Sequence, residues 1–325
     1  LLERREIDGA IVTTIDRDNP FRAKAIVART AEEILAARQS KYIVCPVNDA
    51  LKLIRKEKGR FAYVGLPCQI QGLRKWMMRK SSMRDRIPYA IGLFCITTLE
   101  TTVIDELYAF RGDRRKRLQD FRFREGVWPG SICAIYQDGS QQKLHQSNFK
   151  DGAINYLTQL YSPYRCRLCT DGAAEFADLS VGDAWMRKKD KSYRYPAMST
   201  VVVRTAAGQE LFDAAQRDDR IKAYPLDHAA LYSTFRSLEK TKKKNARLRA
   251  LRLKRRGKPT PLYDEPMLPV GWRDRFAERQ SAIYQRLGAH KAIRRPLVRL
   301  LLSKSMIPMI AIRKKMKELR AKAAG

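Results

Sequence analysis

Four of the six cysteines in this chain stand where they can act together. Cys166 and Cys169 form a CxxC (CRLC), a spacing at which two thiolates on a tight turn can hold one metal ion or two corners of a cluster. Cys68 follows the apolar run FAYVGL and Cys95 ends PYAIGLFC, so each falls where a buried strand gives way to a loop. Soft thiolates select zinc, copper(I) or iron–sulfur. Four Cys from three segments complete a tetrahedral set for zinc or a [4Fe–4S] cube; as small buried hydrophobes, Cys68 and Cys95 would satisfy the same pattern without a metal. Cys45 and Cys133 lie outside these motifs and read as structural. His145, His228 and His290 are isolated, and no residue stands out as a general acid.

The elements that must position these thiols alternate. Strands are expected at residues 7–14, 23–29, 61–66 and 88–94, with residues 42–45 extended. Helices are expected after Thr30, where Glu33 completes a capping box, and over 48–58 and 69–80. This alternation points to an α/β sheet whose ligands sit where strands end. From residue 119 the pattern becomes strand-rich (121–124, 132–136, 143–145), with turns at Pro129-Gly130 and Asp138-Gly139. Strands at 179–184 and 199–204 and helical stretches at 210–216 and 229–238 follow. The expected architecture is α/β: an N-terminal α/β sheet region (1–85), a mixed α+β region carrying the CxxC (86–240) and a basic helical C-terminal tail (241–325).

Lys and Arg number 66 against 34 Asp and Glu, a formal charge of +32. Residues 236–325 hold 27 of the cations and 6 of the acids, so two-thirds of the excess lies in roughly the last quarter. The tail's apolar clusters LVRLLL and MIPMIAI, flanked by cations, suit peripheral contact with an anionic membrane or a covering helix; Pro308 would kink it. Zinc-finger, RNP and helix-turn-helix patterns are lacking and aromatics are sparse, so nucleic acid is not the expected partner. No run of about 18 uncharged apolar residues argues for a spanning helix. The opening LLERREIDGAIVTT reads as a charged half-helix entering a strand, not a signal peptide, so the expected location is cytoplasmic. The chain opens without Met, so residues preceding Leu1 are expected.

The stretches KYIVCPVNDALKLIRKEKGRFAYVGLPCQIQGLRK and YRCRLCTDGAAEFADLSVGDAW, with IGLFC and FRFREGVWPG, resemble the coenzyme F420 hydrogenase/dehydrogenase beta subunit family over roughly residues 5–240. The resemblance implies an iron–sulfur flavoprotein oxidoreductase that passes electrons between a [4Fe–4S] cluster, FAD and a substrate, with a ferredoxin or a deazaflavin such as coenzyme F420 as redox partner. Carried over by position, Cys68, Cys95, Cys166 and Cys169 are the implied cluster ligands. Ser40, Lys41, Tyr42 and Asn48 of the SKY…PVN segment, Gln69, Gly72 and Arg74 after the GLPC turn, and Asp183 of GDAW are the implied flavin contacts. Trp185 reads as core. The glycine-rich segment and ferredoxin-like CxxCxxC module usual in relatives are not in this sequence, so one cluster is implied.

Overall fold

The computed structural model describes residues 1–146, 153–186, 188, 192–264 and 266–303. Strands β1 (Gly9–Ile15) and β2 (Ala23–Ala28) form a hairpin. Helix α1 (Ala31–Ala36) follows through the capping box: Thr30 Oγ1 accepts from Glu33 N at 3.2 Å and the Glu33 carboxylate accepts from Arg29 N at 2.6 Å. Residues 42–45 form no strand and make a single bridge, Ile43 to Leu99. The helix expected over 48–58 is a 3₁₀ turn (Val47–Ala50) running into a short α2 (Leu51–Ile54). Its buried residues are Val47, Ala50, Leu51 and Ile54, and the charged run beyond has no apolar face to dock. Strand β3 (Phe61–Gly65) leads into α3 (Pro67–Arg79), and α4 (Ser82–Arg86) into β4 (Tyr89–Leu93).

After α5 (Thr102–Arg111) the chain builds an antiparallel sheet of β5 (Leu118–Glu125), β6 (Ser131–Tyr136) and β7 (Gln141–Gln146). Helices α6 (Ala153–Leu160) and α7 (Tyr164–Arg167) return it to the first sheet, where β8 (Leu179–Asp183) pairs with β9 (Ser199–Val203). The order of that six-stranded sheet is β2-β1-β3-β4-β8-β9. Its inner pairs β1–β3, β3–β4 and β4–β8 are parallel and its outer hairpins antiparallel. The strands that bear on the site (β3, β4, β8) therefore share one carboxyl end, although they come from both sides of residue 85. Helices α8 (Ala206–Arg217) and α9 (His228–Leu238) complete the part that the sequence reading assigns to the body.

Through residue 302 the basic C-terminal part is largely helical, as expected, and is built into the body. A π-helical turn (Glu239–Asn245) continues α9 into α10 (Ala246–Lys254), and α11 (Trp272–Ala289) and α12 (Lys291–Leu302) follow. Val298, Leu301 and Leu302, the apolar residues that the sequence offers to a membrane face, are buried with Ile104, Leu107, Phe121 and Leu160 in one core. Glu106, only 3% exposed, receives Arg294 at 2.8 Å and the Tyr161 hydroxyl, which fastens α12 to α5. Glu278 on α11 is likewise buried against Arg249, at 3.0 Å, and Arg252. Tail cations thus meet buried acids of the body and of their own helices. MIPMIAI and Pro308 lie outside the described residues. Among those described, no helix is long and apolar enough to cross a membrane.

Candidate functional site

Register brings the first two thiols together. Gly65 on β3 pairs with Gly92 on β4, and Cys68 and Cys95 each stand three residues beyond that pair. They emerge side by side at the carboxyl end of the parallel strands, where open α/β sheets place their ligands. The CxxC loop is drawn to the same end. A Cβ on Gly92 would lie 2.3 Å from that of Ala174 and 2.9 Å from that of Ala177, so only glycine lets the segment after the CxxC seat on β4. Cys95 N then donates to Gly172 O at 2.9 Å.

The four thiols sense one another. Burial raises the Cys68 thiol, Cys169 and Cys166 raise it further, and Arg165 and Lys242 oppose them. Burial pushes the Cys95 thiol up to about 12; Lys242 opposes this, and Cys166, Cys68 and Cys169 add to it. Thr98 Oγ1 lies 3.4 Å from Cys166 Sγ, and Cys169 Sγ donates to Asp171 O at 3.2 Å. All four are partly accessible, whereas Cys45 and Cys133 are buried. Cys45 packs in the core under α3, and Cys133 is on β6 among Glu125, Lys143 and Arg122. Among the described residues, no three His, Cys, Asp or Glu side chains converge as a single ion requires. A zinc ion draws sulfurs to about 2.3 Å, whereas a cube sets its four thiolates at separate corners.

The implied flavin contacts divide into separate groups. Ser40, Tyr42 and Asp183 meet at Arg124. Burial raises the pKa of the Tyr42 hydroxyl, and the nearby Arg124 charge and Ser40 oppose it. Arg124 grips Asp183 bidentately at 2.6 and 3.3 Å, and Trp128 Nε1 donates to the same carboxylate at 3.1 Å. The rings of Trp128 and Trp185 lie 5.0 Å apart beside this pair, so Trp185 is partly exposed and packs in an aromatic cluster at the sheet's end rather than in the main core. Lys41 turns away: its ammonium donates to the carbonyls of Arg38 at 2.6 Å and Gln39 at 3.2 Å, closing the end of α1.

Asn48, Gln69 and Gly72 form a second group behind the Cys68 turn. Gln69 Oε1 accepts from Leu66 N at 2.7 Å while its Nε2 donates to Cys45 O at 2.9 Å. Asn48 accepts the Tyr63 hydroxyl and donates to Gln69 O at 3.4 Å. A Cβ on Gly72 would meet Asn48 Nδ2 at 2.5 Å, so the glycine lets α3 approach the Val47–Ala50 turn. Arg74 reaches neither group: it pairs with Asp178 at 2.9 Å and donates to Phe176 O at 2.9 Å.

Sequence reading does not find the residues that close the thiol site from the C-terminal side. Tyr263 donates to Leu168 O and Arg249 to Arg167 O, each at 2.6 Å, so both inner carbonyls of the CxxC are held from beyond residue 240. Lys242 approaches from the π-helical turn. In sequence Lys242 and Arg249 look like any other members of a cationic, solvated run and Tyr263 like a linker residue; the structure alone shows the two cations buried and the tyrosine hydroxyl on Leu168 O.

Comparison with known proteins identifies the family. Residues 1–52 match the family model for the coenzyme F420 hydrogenase/dehydrogenase beta subunit N-terminal part, and residues 58–229 match that for its C terminus. The coenzyme F420-dependent sulfite reductase of Methanocaldococcus jannaschii is 27% identical over 66% of this chain, which spans 33% of the reductase's length. The coenzyme F420 hydrogenase subunit beta of Methanosarcina barkeri is 27% identical over 70% of this chain and 72% of its own. A chain of the F420-reducing [NiFe] hydrogenase complex from Methanosarcina barkeri shares the fold, with a TM-score of 0.60 at 21% identity, covering 80% of this chain and 85% of that one. This chain belongs to the coenzyme F420 hydrogenase/dehydrogenase beta subunit family.

Proposed function

We propose that the chain is an electron-transferring oxidoreductase in which Cys68, Cys95, Cys166 and Cys169 hold one [4Fe–4S] cluster and FAD binds nearby. The supporting observation is that Cys68 and Cys95 follow neighbouring parallel strands and that each lies within electrostatic reach of Cys166 and Cys169. Their donor set is that of a cubane cluster. Bound together, a one-electron cluster and a flavin interconvert one- and two-electron chemistry, and the protein supplies position and electrostatics.

The chain's own residues divide that work. The Gly65–Gly92 register and the Ala174–Ala177 packing against Gly92 hold the sulfurs together. Arg165 and Lys242 bring positive charge to a site that binds as thiolates. Ser40, Tyr42 and Asp183 stay candidate flavin contacts, with the Trp128 and Trp185 rings beside Asp183. Gly72 serves by letting α3 approach the Val47–Ala50 turn, and Lys41, Asn48, Gln69 and Arg74 by positioning the end of α1, the turn and α3, because their side-chain polar atoms are already engaged within the protein and freeing each would cost about 1–3 kcal/mol. The substrate class proposed is a deazaflavin such as coenzyme F420, named in the relatives' descriptions, or an acidic ferredoxin. A protein of formal charge +32 attracts either electrostatically.

The test is an anaerobic visible spectrum of the purified chain with iron, zinc and flavin quantified. A brown protein with about four irons per chain and extractable FAD is expected. Replacing any one of Cys68, Cys95, Cys166 or Cys169 by Ser should bleach it, and Cys45→Ser and Cys133→Ser should not. A colourless protein with one zinc would replace this reading by a structural zinc site.

A further inference from the structure

Three consecutive lysines on the π-helical turn have three different fates. Lys243 pairs with Glu175 at 2.8 Å and Lys244 with Glu239 at 3.7 Å. Lys242, between Thr241 and Lys243, turns inward and is 3% exposed. Among the described residues it makes no hydrogen bond or ion pair. Its stem crosses Gly172: a Cβ there would lie 3.2 Å from Lys242 Cγ and 3.0 Å from Leu238 Cδ2, and the Gly172 carbonyl is the one that accepts from Cys95 N. Glycine at 172 thus leaves room for the lysine's stem.

With 3% of the residue exposed, the charge that Lys242 carries acts through protein more than through bulk water on whatever lies beside it. The acids around the turn are already engaged. Glu175 is held by Lys243, Glu239 by Lys244, and Asp171 by the N–H groups of Ala173 and Glu175 and by Gln71. Gly172, against which the Lys242 stem packs, holds the Cys95 N–H through its carbonyl, so the lysine lies against the loop that carries Cys95. Four thiolates around an iron–sulfur cube carry net negative charge, which grows by one electron on reduction. A buried cation beside such a cluster favours the reduced state, because net charge and burial are what tune its potential.

Resting on the cluster assignment above, we infer that Lys242 is the buried counter-charge of the thiol site and sets the cluster's reduction potential from a segment outside the residues matched by the family models. The π-helical insertion is the device that presents it: π-turns are rare and gather at functional sites.

The experiment is a mediator-poised redox titration of the purified full-length chain, followed by EPR of the reduced cluster. It compares wild type with Lys242→Met, Lys242→Gln and Lys242→Arg, with Lys243→Met as control. Neutral substitution should lower the reduced-to-oxidised ratio at a fixed potential at least tenfold, about 59 mV for a one-electron couple. Lys242→Arg and Lys243→Met should stay near wild type. Should both neutral variants lose the cluster while Lys242→Arg keeps it, the need for charge stands. Equal potentials in wild type and a neutral variant overturn the inference, as does loss of the cluster from Lys242→Arg, which would make the lysine's shape the requirement. A wild-type protein without iron instead refutes the cluster assignment itself.

Discussion

The Tyr263 hydroxyl donates to the Leu168 carbonyl at 2.6 Å, tying the linker between α10 and α11 to the middle of the CxxC. Arg249 holds the preceding carbonyl, that of Arg167, at 2.6 Å. The loop that carries two of the four thiols is therefore shaped by chain that lies about a hundred residues away. The C-terminal part completes the site rather than trailing from it.

Tyr263→Phe removes one donor and keeps the ring. Leu168 is buried, so its carbonyl is left unsatisfied at a cost of about 1–3 kcal/mol. Urea denaturation of wild type and variant should show the lower midpoint, and bound iron should be lost faster to a chelator. Unchanged midpoint and iron retention would show that the bond does not hold the loop.

Glu106→Gln tests the docking of α12. Burial alone would raise the Glu106 carboxyl, but hydrogen bonds from Arg294 and Tyr161 and the charges of Arg294 and Arg295 outweigh it, and the net shift is downward. A carboxylate with a lowered folded pKa contributes stability that is present above its unfolded value, about 4.3, and lost as pH falls through the folded value. The variant should be less stable by about 3 kcal/mol near neutrality, since Arg294 loses its buried partner. The gap should narrow below about pH 4. Chemical denaturation across pH 3–7 reads it directly; a gap independent of pH would mean that the pair is not what fastens the helix.

Lys41 has the opposite slope. Burial lowers its pKa to about 8, with Asp120 opposing the shift and Arg122 adding to it. Below that value the lysine is protonated folded and unfolded, and the folded protein bears the cost of the buried charge. Between about 8 and the unfolded value near 10.4, the unfolded chain binds more protons, so stability from this residue rises with pH. Wild type should gain on Lys41→Met from pH 7.5 to 9.5 in paired denaturation curves. A constant difference would place the ammonium in water.

Local signals were legible in the chain. The Thr30–Glu33 capping box closes as its spacing demands, and the apolar runs before Cys68 and Cys95 are β3 and β4. The GLPC turn and the segment after the CxxC reach the same end of the sheet. Signals that rest on distant partners were not legible. Residues 48–58 have helical spacing, yet the helix stops at Ile54 where burial stops. The flavin set reads as one group along the sequence, while in space Asp183 joins Tyr42 through Arg124 and Arg74 is taken by Asp178.

Strand periodicity, caps and cysteine spacing follow from short-range sterics and hydrogen bonding, so the sequence alone determined the alternating elements, the thiol motifs and the weight of positive charge toward the C terminus. Tertiary structure decided which cations face water and which face a buried acid or a sulfur. A lysine in KTKKKN has the same local preferences on either side of the helix; Lys242 is turned inward by the packing of Leu238 and Gly172 against it. Likewise LVRLLL has the same pattern for a membrane as for a core, and the buried pairing of Arg294 with Glu106 is what commits α12 to the core.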